Sequence, residues 1–501
     1  MRGALTRTLH LRALRLGAIT LLFLLGWGCE PSPALERTAR VLGAKSACSA
    51  YFLAPAGARR SFDDIVARDV LPIDRAVPFG APLAASDVRL DAAARSVTVV
   101  SRTHPDRVAH ARYDEATGCV AQAGPPPRAA QPARVTPTAP VAHTCAAPWR
   151  VHGVQAANRP WPDGEGVVAS TVADAGVDAV LRTYLAEYPD VRALLVVRDG
   201  QLIAERYGRG FGPRSLHLGW SMAKTVTGMA LGQVFTPVEA EAPAAQWLPA
   251  WRAPDPRARI RVRELLEMRS GLAWNESYAS ADSDVLHMLF AEHDMARFAA
   301  GRPLDAEAAG EFAYSSGTSV ILQAILHARL AQRGDRPYCR FVYERLFAPI
   351  GAYTARFESD GNGTHVGSSY LHANGRDWAR LGQLVLDGGV WRPTGQQVVP
   401  TEWMARSRPP PERGYGWHIW SGRRSGLRAL LGGEDDAVPD DTMVMRGHWG
   451  QSVSVVPSAR LVLVHLAWDT SLVGAGNDGR QLLVDVLAAA RAHGRAASRN
   501  P

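Results

Sequence analysis

The sequence predicts an α+β domain: an antiparallel sheet flanked by helices, with a mainly helical subdomain between its strands. Three observations predict it. Ala193-Leu194-Leu195-Val196-Val197 and Gln201 to Tyr207 read as a hairpin, because Asp199-Gly200 tolerates the positive φ angles of a tight turn. Ser452 to Val456 and Arg460 to Leu466 read as a second hairpin, turned by Pro457-Ser458-Ala459. Between about 221 and 400 the apolar spacing is mostly helical. Strands at both ends of a domain with helices between them suggest one closed sheet joining distant parts of the chain.

The chain has 501 residues, enough for two to four units at roughly 100–200 residues each. Its net charge is +8, and Arg2, Arg7, Arg12 and Arg15 supply half of that. The remainder forms no dense basic stripe, so no nucleic-acid partner is expected.

Residues 1–29 read as an export signal. The apolar run from Leu16 to Leu25 follows a basic segment and is too short for a comfortable membrane span. Cys29 follows Gly26-Trp27-Gly28 and resembles the lipid-modified cysteine of bacterial lipoproteins, which would attach the protein to a membrane. Plain secretion and a retained anchor are the alternatives. The expected location is the periplasm or the bacterial cell envelope.

Residues 30–45 read as a tether, 46–122 as a small strand-rich module, and 123–150 as a Pro/Ala-rich linker. In the module, Val88 to Leu90 and Ser96 to Ser101 are strand candidates. The remaining 151–501 form the main domain, with a first clear signal at Trp161-Pro162-Asp163-Gly164. Val177 to Tyr188 reads as a helix with Gly176 as breaker or weak cap, and Gln481 to His493 as a terminal helix. Apart from Cys29, four cysteines permit two disulfides in three connectivities. Cys119 and Cys145 flank the proline-rich stretch, which favours their pairing. The spacings do not suggest a zinc site, and no cofactor or metal is expected.

Ser221 and Lys224 lie three residues apart, at the start of a helical run extending to Leu231. That spacing places a hydroxyl and an amine on one helical face. A serine hydroxyl is a weak nucleophile until a base acts on it, and a lysine is a base only when burial or nearby positive charge lowers its pKa. The plainer alternative is a capping serine with a surface lysine. Tyr314-Ser315-Ser316-Gly317 enters a second helical run, Thr318 to Leu330. Tyr314, held as a phenolate by Lys224, can take the Ser221 proton, and Ser316 can bridge Lys224 to a leaving group. Alternatively Tyr314 is a core anchor and Ser315 or Ser316 a helix cap.

Gly447-His448-Trp449-Gly450-Gln451 precedes the second hairpin and is expected at a sheet edge. His448 can hydrogen-bond an intermediate or position Tyr314, acting as a neutral imidazole. Gly450 permits close substrate approach. The backbone N–H groups of Gln451 and Ser221 can hold an oxyanion. Tyr278, in the run from Ser270 to Tyr278, can touch a substrate amide or carboxylate. Trp417 and Trp420 belong either to a packed strand or to a cleft wall.

Together these segments resemble the serine β-lactamase-related family, which includes class C β-lactamases, penicillin-binding proteins, esterases and 6-aminohexanoate-dimer hydrolases. The likeness covers roughly 160–490 and is greatest to the dimer hydrolases. It rests on Ser221-Met222-Ala223-Lys224, Leu265 to Leu272 with Trp274 and Tyr278, Tyr314-Ser315-Ser316, and Gly447 to Gln451. It implies a β-lactamase/transpeptidase-like fold and an acyl-enzyme on Ser221, with Lys224 and Tyr314 handling protons and a small-molecule amide or ester as substrate. His448-Trp449-Gly450 stands where many relatives have Lys-Thr-Gly, and Ser316 where β-lactamases commonly have asparagine. Both departures fit the dimer-hydrolase and esterase branches. A β-lactamase or DD-peptidase-like envelope enzyme, and an inactive envelope-binding protein of the same fold, are the competing readings.

Overall fold

The computed structural model describes residues 32–77, 80–124, 159, 161–164, 174–280, 282–335, 337–410, 412–422, 438–470 and 479–497. The export signal, Cys29, Cys145 and nearly all of the Pro/Ala-rich linker lie outside the described residues.

The chain first forms a helix, α1 (Pro33–Phe52), then four strands, β1 (Ser86–Asp91), β2 (Ser96–Ser101), β3 (Val108–Asp114) and β4 (Gly118–Ala123). The strands make one antiparallel sheet in sequence order. The strand-rich module is therefore present, but its neighbour 30–45 is no tether. From Pro33 onward it is helical, with Ala39 to Ser49 buried. The segment is rich in Ala, Gly and Ser, which carry little hydrophobic signal, yet small side chains let a helix lie close against a sheet. Cys48 on α1 is bonded to Cys119 on β4. This replaces the expected Cys119–Cys145 pair: the helix lying on the sheet brings Cys48 to β4. Cys339 is disulfide-bonded as well.

The main domain opens with α2 (Ala175–Glu187), capped by the Asp174 carboxylate, which accepts from the N–H groups of Gly176 and Val177. Gly176 is thus a partner of the cap and not the cap itself. The hairpin β5 (Val191–Arg198) and β6 (Gln201–Tyr207) follows. Asp199 and Gly200 have φ +51° and +76°, as a two-residue turn of this kind requires. The later strands are β7 (Trp420–Ser421), β8 (Met443–Gly447), β9 (Gln451–Val456) and β10 (Leu461–Ala467). The six run β7-β8-β9-β10-β5-β6 and every pairing is antiparallel. The two ends of the domain meet where β10 pairs with β5.

Between β6 and β7 lie mostly helices: α3 (Met222–Gly232), α4 (Val262–Leu266), α5 (Ser316–Arg333) and α6 (Gly375–Leu386) among them. The terminal helix, α7 (Arg480–Ala497), covers one sheet face with α2: Leu482, Leu483 and Val486 pack with Val177 and Leu181 against Leu194, Val196 and Leu463. Alternate strand residues, such as Leu195, Val197, Val462 and Val464, face the larger core that holds α3, α5 and α6. Period-two alternation thus gives the sheet two buried faces. Among the described residues no helix is long and apolar enough to cross a membrane.

The first module sits against this domain. Arg192 pairs with Asp69 at 2.6 Å and donates to Arg68 O at 2.7 Å. Thr470 Oγ1 donates to Pro72 O, and Ser359 N to Thr117 O.

Candidate active site

Ser221 stands just before α3, at its N-cap. The preceding Trp220 is 1% exposed and has φ +46°, a left-handed conformation that a bulky residue adopts only when its surroundings fix it. Trp449 and Trp468 provide that fixing, with ring centroids 5.4 and 6.4 Å from Trp220.

One turn into α3, Lys224 is buried. Its Nζ donates to Ser221 Oγ at 2.9 Å, to Ser316 Oγ at 3.0 Å and to Ser368 O at 3.2 Å. Burial pulls its pKa down to about 8, against the opposing pull of Glu276. About a tenth of the amine is then neutral at pH 7, whereas an ordinary lysine is almost wholly charged.

The second motif lies where expected, on the loop entering α5. Ser315 caps the helix, accepting from Thr318 N at 3.1 Å. That frees Ser316 to face Lys224. Tyr314 hydrogen-bonds Ser221 and lies beneath the amine, with Lys224 Nζ 4.8 Å from its ring centroid. Burial raises the Tyr314 pKa above its ordinary value, despite the hydrogen bonds from Ser221 and Trp420. This corrects the expectation of a phenolate: the amine sits on the ring face, and the buried phenol keeps its proton.

Gly447-His448-Trp449-Gly450 is the turn between β8 and β9, closed by the pair Gly447 and Gln451. These strands are inside the sheet, so the turn is at a strand end and not at the sheet's lateral edge. A methyl group on Gly447 would come within 2.2 Å of Gly219 O, which shows how closely the turn approaches the nucleophile's segment. Gly450 has φ +82°. The Gln451 side chain donates to Trp449 O at 3.1 Å and to Ala467 O, fixing the turn. His448 stacks on Tyr278 with centroids 4.2 Å apart and meets Trp220 edge-on at 5.7 Å. Burial lowers its pKa to about 4, so it is neutral at pH 7. Among the described residues it has no hydrogen bond to Tyr314, so positioning Tyr314 is not its task here.

Tyr278 reaches the site through a hydrogen bond with Ser316. Trp420 packs on Tyr314 at 5.2 Å. Trp417 is elsewhere: it packs edge-on against Trp403 and donates to Glu267 at 3.2 Å. The alternation from Tyr415 to Trp420 explains the split, since the two tryptophans are separated by the kink at His418, φ +59°.

Glu276 had no role in the sequence analysis. Its carboxylate accepts from Ser316 N at 2.8 Å, Ser316 Oγ at 2.6 Å and Trp274 Nε1 at 2.5 Å. A chain Glu276–Ser316–Lys224–Ser221 results. The available signal was an acid flanked two residues away on each side by aromatics, Trp274 and Tyr278.

Residues 177–487 match the β-lactamase family model, well over half of the chain. The chain belongs to the β-lactamase family. Its serine-hydrolase-like fold is that of this family. A 225-residue stretch is 28% identical to 6-aminohexanoate-dimer hydrolase of Paenarthrobacter ureafaciens, covering 42% of this chain and 55% of that protein. The chain thus spans about half the length of this curated relative. The solved structure of a Bacillus anthracis protein provisionally assigned as a 6-aminohexanoate-dimer hydrolase aligns with TM-score 0.50 and 19% identity, over 62% of this chain and 82% of that one. At that identity the likeness is one of fold.

Proposed function

We propose that the protein is a serine hydrolase that cleaves a small-molecule amide or ester through an acyl-enzyme on Ser221. The observation that carries this reading is the buried Lys224 amine, 2.9 Å from Ser221 Oγ with its pKa drawn to about 8. Neutral Lys224 takes the hydroxyl proton as Oγ attacks the acyl carbon. The N–H groups of Ser221 and Gln451 hold the oxyanion. As the intermediate collapses, the proton passes from Lys224 through the Tyr314 hydroxyl to the departing amine or alcohol. A water then gives its proton to Lys224, attacks the ester carbonyl and releases the acid, and Ser221 regains its proton. No metal or organic cofactor enters this route.

The dimer-hydrolase and esterase branches are favoured over β-lactam turnover. His448 is neutral at pH 7 where a lysine cation stands in many β-lactamases. The disulfide Cys48–Cys119 favours an exported location, because such bonds persist in oxidising compartments. Lipid attachment at Cys29 remains a proposal that intact-mass measurement of the membrane fraction tests: a mature chain without a lipid increment overturns it.

The function is tested with a fluorophosphonate and p-nitrophenyl esters, read by intact-protein mass and absorbance. The native protein is expected to label once and to turn over ester, and Ser221→Ala to do neither. Equal labelling of both overturns the assignment.

A further inference from the structure

The hydrolase reading leaves the substrate's shape open. An apolar crevice of about 480 Å³ adjoins the site, within the roughly 300–1,000 Å³ usual for ligand pockets. One wall is built from site residues: Trp220, which precedes the nucleophile, Tyr278, which hydrogen-bonds Ser316, and His448 and Trp449 of the β8–β9 turn. The opposite wall comes from the first module, with Leu35, Thr38 and Leu42 on α1 and Ile73 and Val77 beyond it. Leu286 and Phe290 also line it. The first-module residues lie outside 177–487, so this wall is an addition to the family-matched part of the chain.

We propose that this crevice is the subsite for an apolar tail of the substrate. The substrate class is then an ester or amide bearing a medium-length aliphatic or aromatic chain. The inference rests on the serine-hydrolase reading. Three features support it. Apart from the Thr38 hydroxyl, the first-module wall is aliphatic, so it offers dispersion and water exclusion with little to hold a charged group. His448, neutral at pH 7, adds no charge to the other wall. Tyr278 and His448 belong to crevice and site at once, so a chain leaving the reacting carbonyl can continue into the crevice without crossing a polar barrier.

The test uses the full protein with p-nitrophenyl acetate, butyrate, hexanoate and octanoate for the acyl side, and alkyl acetates of matching length for the leaving side. In at least one series kcat/KM is expected to rise about threefold to fourfold per added methylene, the gain from burying one. Thr38→Trp places an indole on the half-buried face of α1 and narrows the crevice. Its octyl-to-shortest ratio is expected to fall at least about tenfold, the equivalent of two methylenes. Leu42→Ala widens the crevice and is expected to move the optimum to longer chains, so the two variants act in opposite directions. Fluorophosphonate labelling and circular dichroism report whether each variant is folded. A flat profile in both series from native protein that labels at Ser221 overturns the subsite and leaves the hydrolase reading standing. Failure to label Ser221 overturns the hydrolase reading, and the subsite with it.

Discussion

At the scale of single residues, the chemistry turns on one proton. Lys224 is a useful base only when neutral, and burial brings its pKa to about 8. We expect kcat/KM to rise with pH and level off above about 8, where the free enzyme's amine is deprotonated. A profile already flat at pH 6 would remove Lys224 as the base. Lys224→Ala and Tyr314→Phe should each cost about 100–10,000-fold in kcat, the usual contribution of a positioned acid or base. Glu276 gives a sharper test. Its negative charge favours the ammonium, so neutralising it lets the amine lose its proton more easily. Glu276→Gln should move the rising limb of the pH profile to lower pH, whatever happens to its height. An unchanged limb in a folded variant would confine Glu276 to holding Ser316 and Trp274 in place.

At the scale of elements, the site depends on three segments converging, and the turn between β8 and β9 leaves least room. Gly447→Ala would push a methyl group onto Gly219 O, a backbone atom that cannot rotate aside. We expect this change to lower the melting temperature and slow fluorophosphonate labelling together. Gly200→Ala, in the exposed β5–β6 turn, meets nothing within 4 Å and strains only its φ of +76°, so it should cost about 1–2 kcal/mol of stability and leave labelling unchanged. Loss of labelling in both, or in neither, would break the link between the turn and the nucleophile. The elements around the site were legible because they obey local rules. Asp199-Gly200 states its turn, the strand pairs alternate, and Ser221, Lys224 and Ser315 sit at helix starts. The illegible parts were set by distant packing. Trp417 and Trp420 share one short run, and only the φ of His418 decides which of them reaches Tyr314. Glu276 acquires its role from Ser316, forty residues away. The helix at Pro33–Phe52 owes its burial to a sheet the chain has not yet formed.

At the scale of the whole molecule, that helix is held by a buried charge cluster. Lys45 on α1 and His372 of the main domain both pair with Glu358, at 2.5 and 2.9 Å, and Ser49 Oγ and Cys119 N also donate to it. Lys45 lies over the Tyr370 ring as well. Burial alone would raise the Glu358 pKa, but Lys45 and His372 outweigh it and bring the carboxylate from 4.5 to about 2. A carboxylate whose pKa is lower folded than unfolded stabilises the fold above its unfolded value. That stability is fully present above about pH 4.5 and is lost as the pH falls through about 2. Acid titration of the native protein, followed by near-ultraviolet circular dichroism, should therefore show a loss of structure between those values. Glu358→Gln should lose about 3 kcal/mol or more at neutral pH, because Lys45 is left buried without its counter-charge, and the acid-sensitive step should shrink. The same variant joins this scale to the chemistry. If α1 is one wall of the substrate crevice, loosening its anchor should reduce the preference for octanoyl over acetyl esters while Ser221 still labels. A Glu358→Gln protein with full stability and native chain-length preference would mean that the cluster does not hold the module to the catalytic domain.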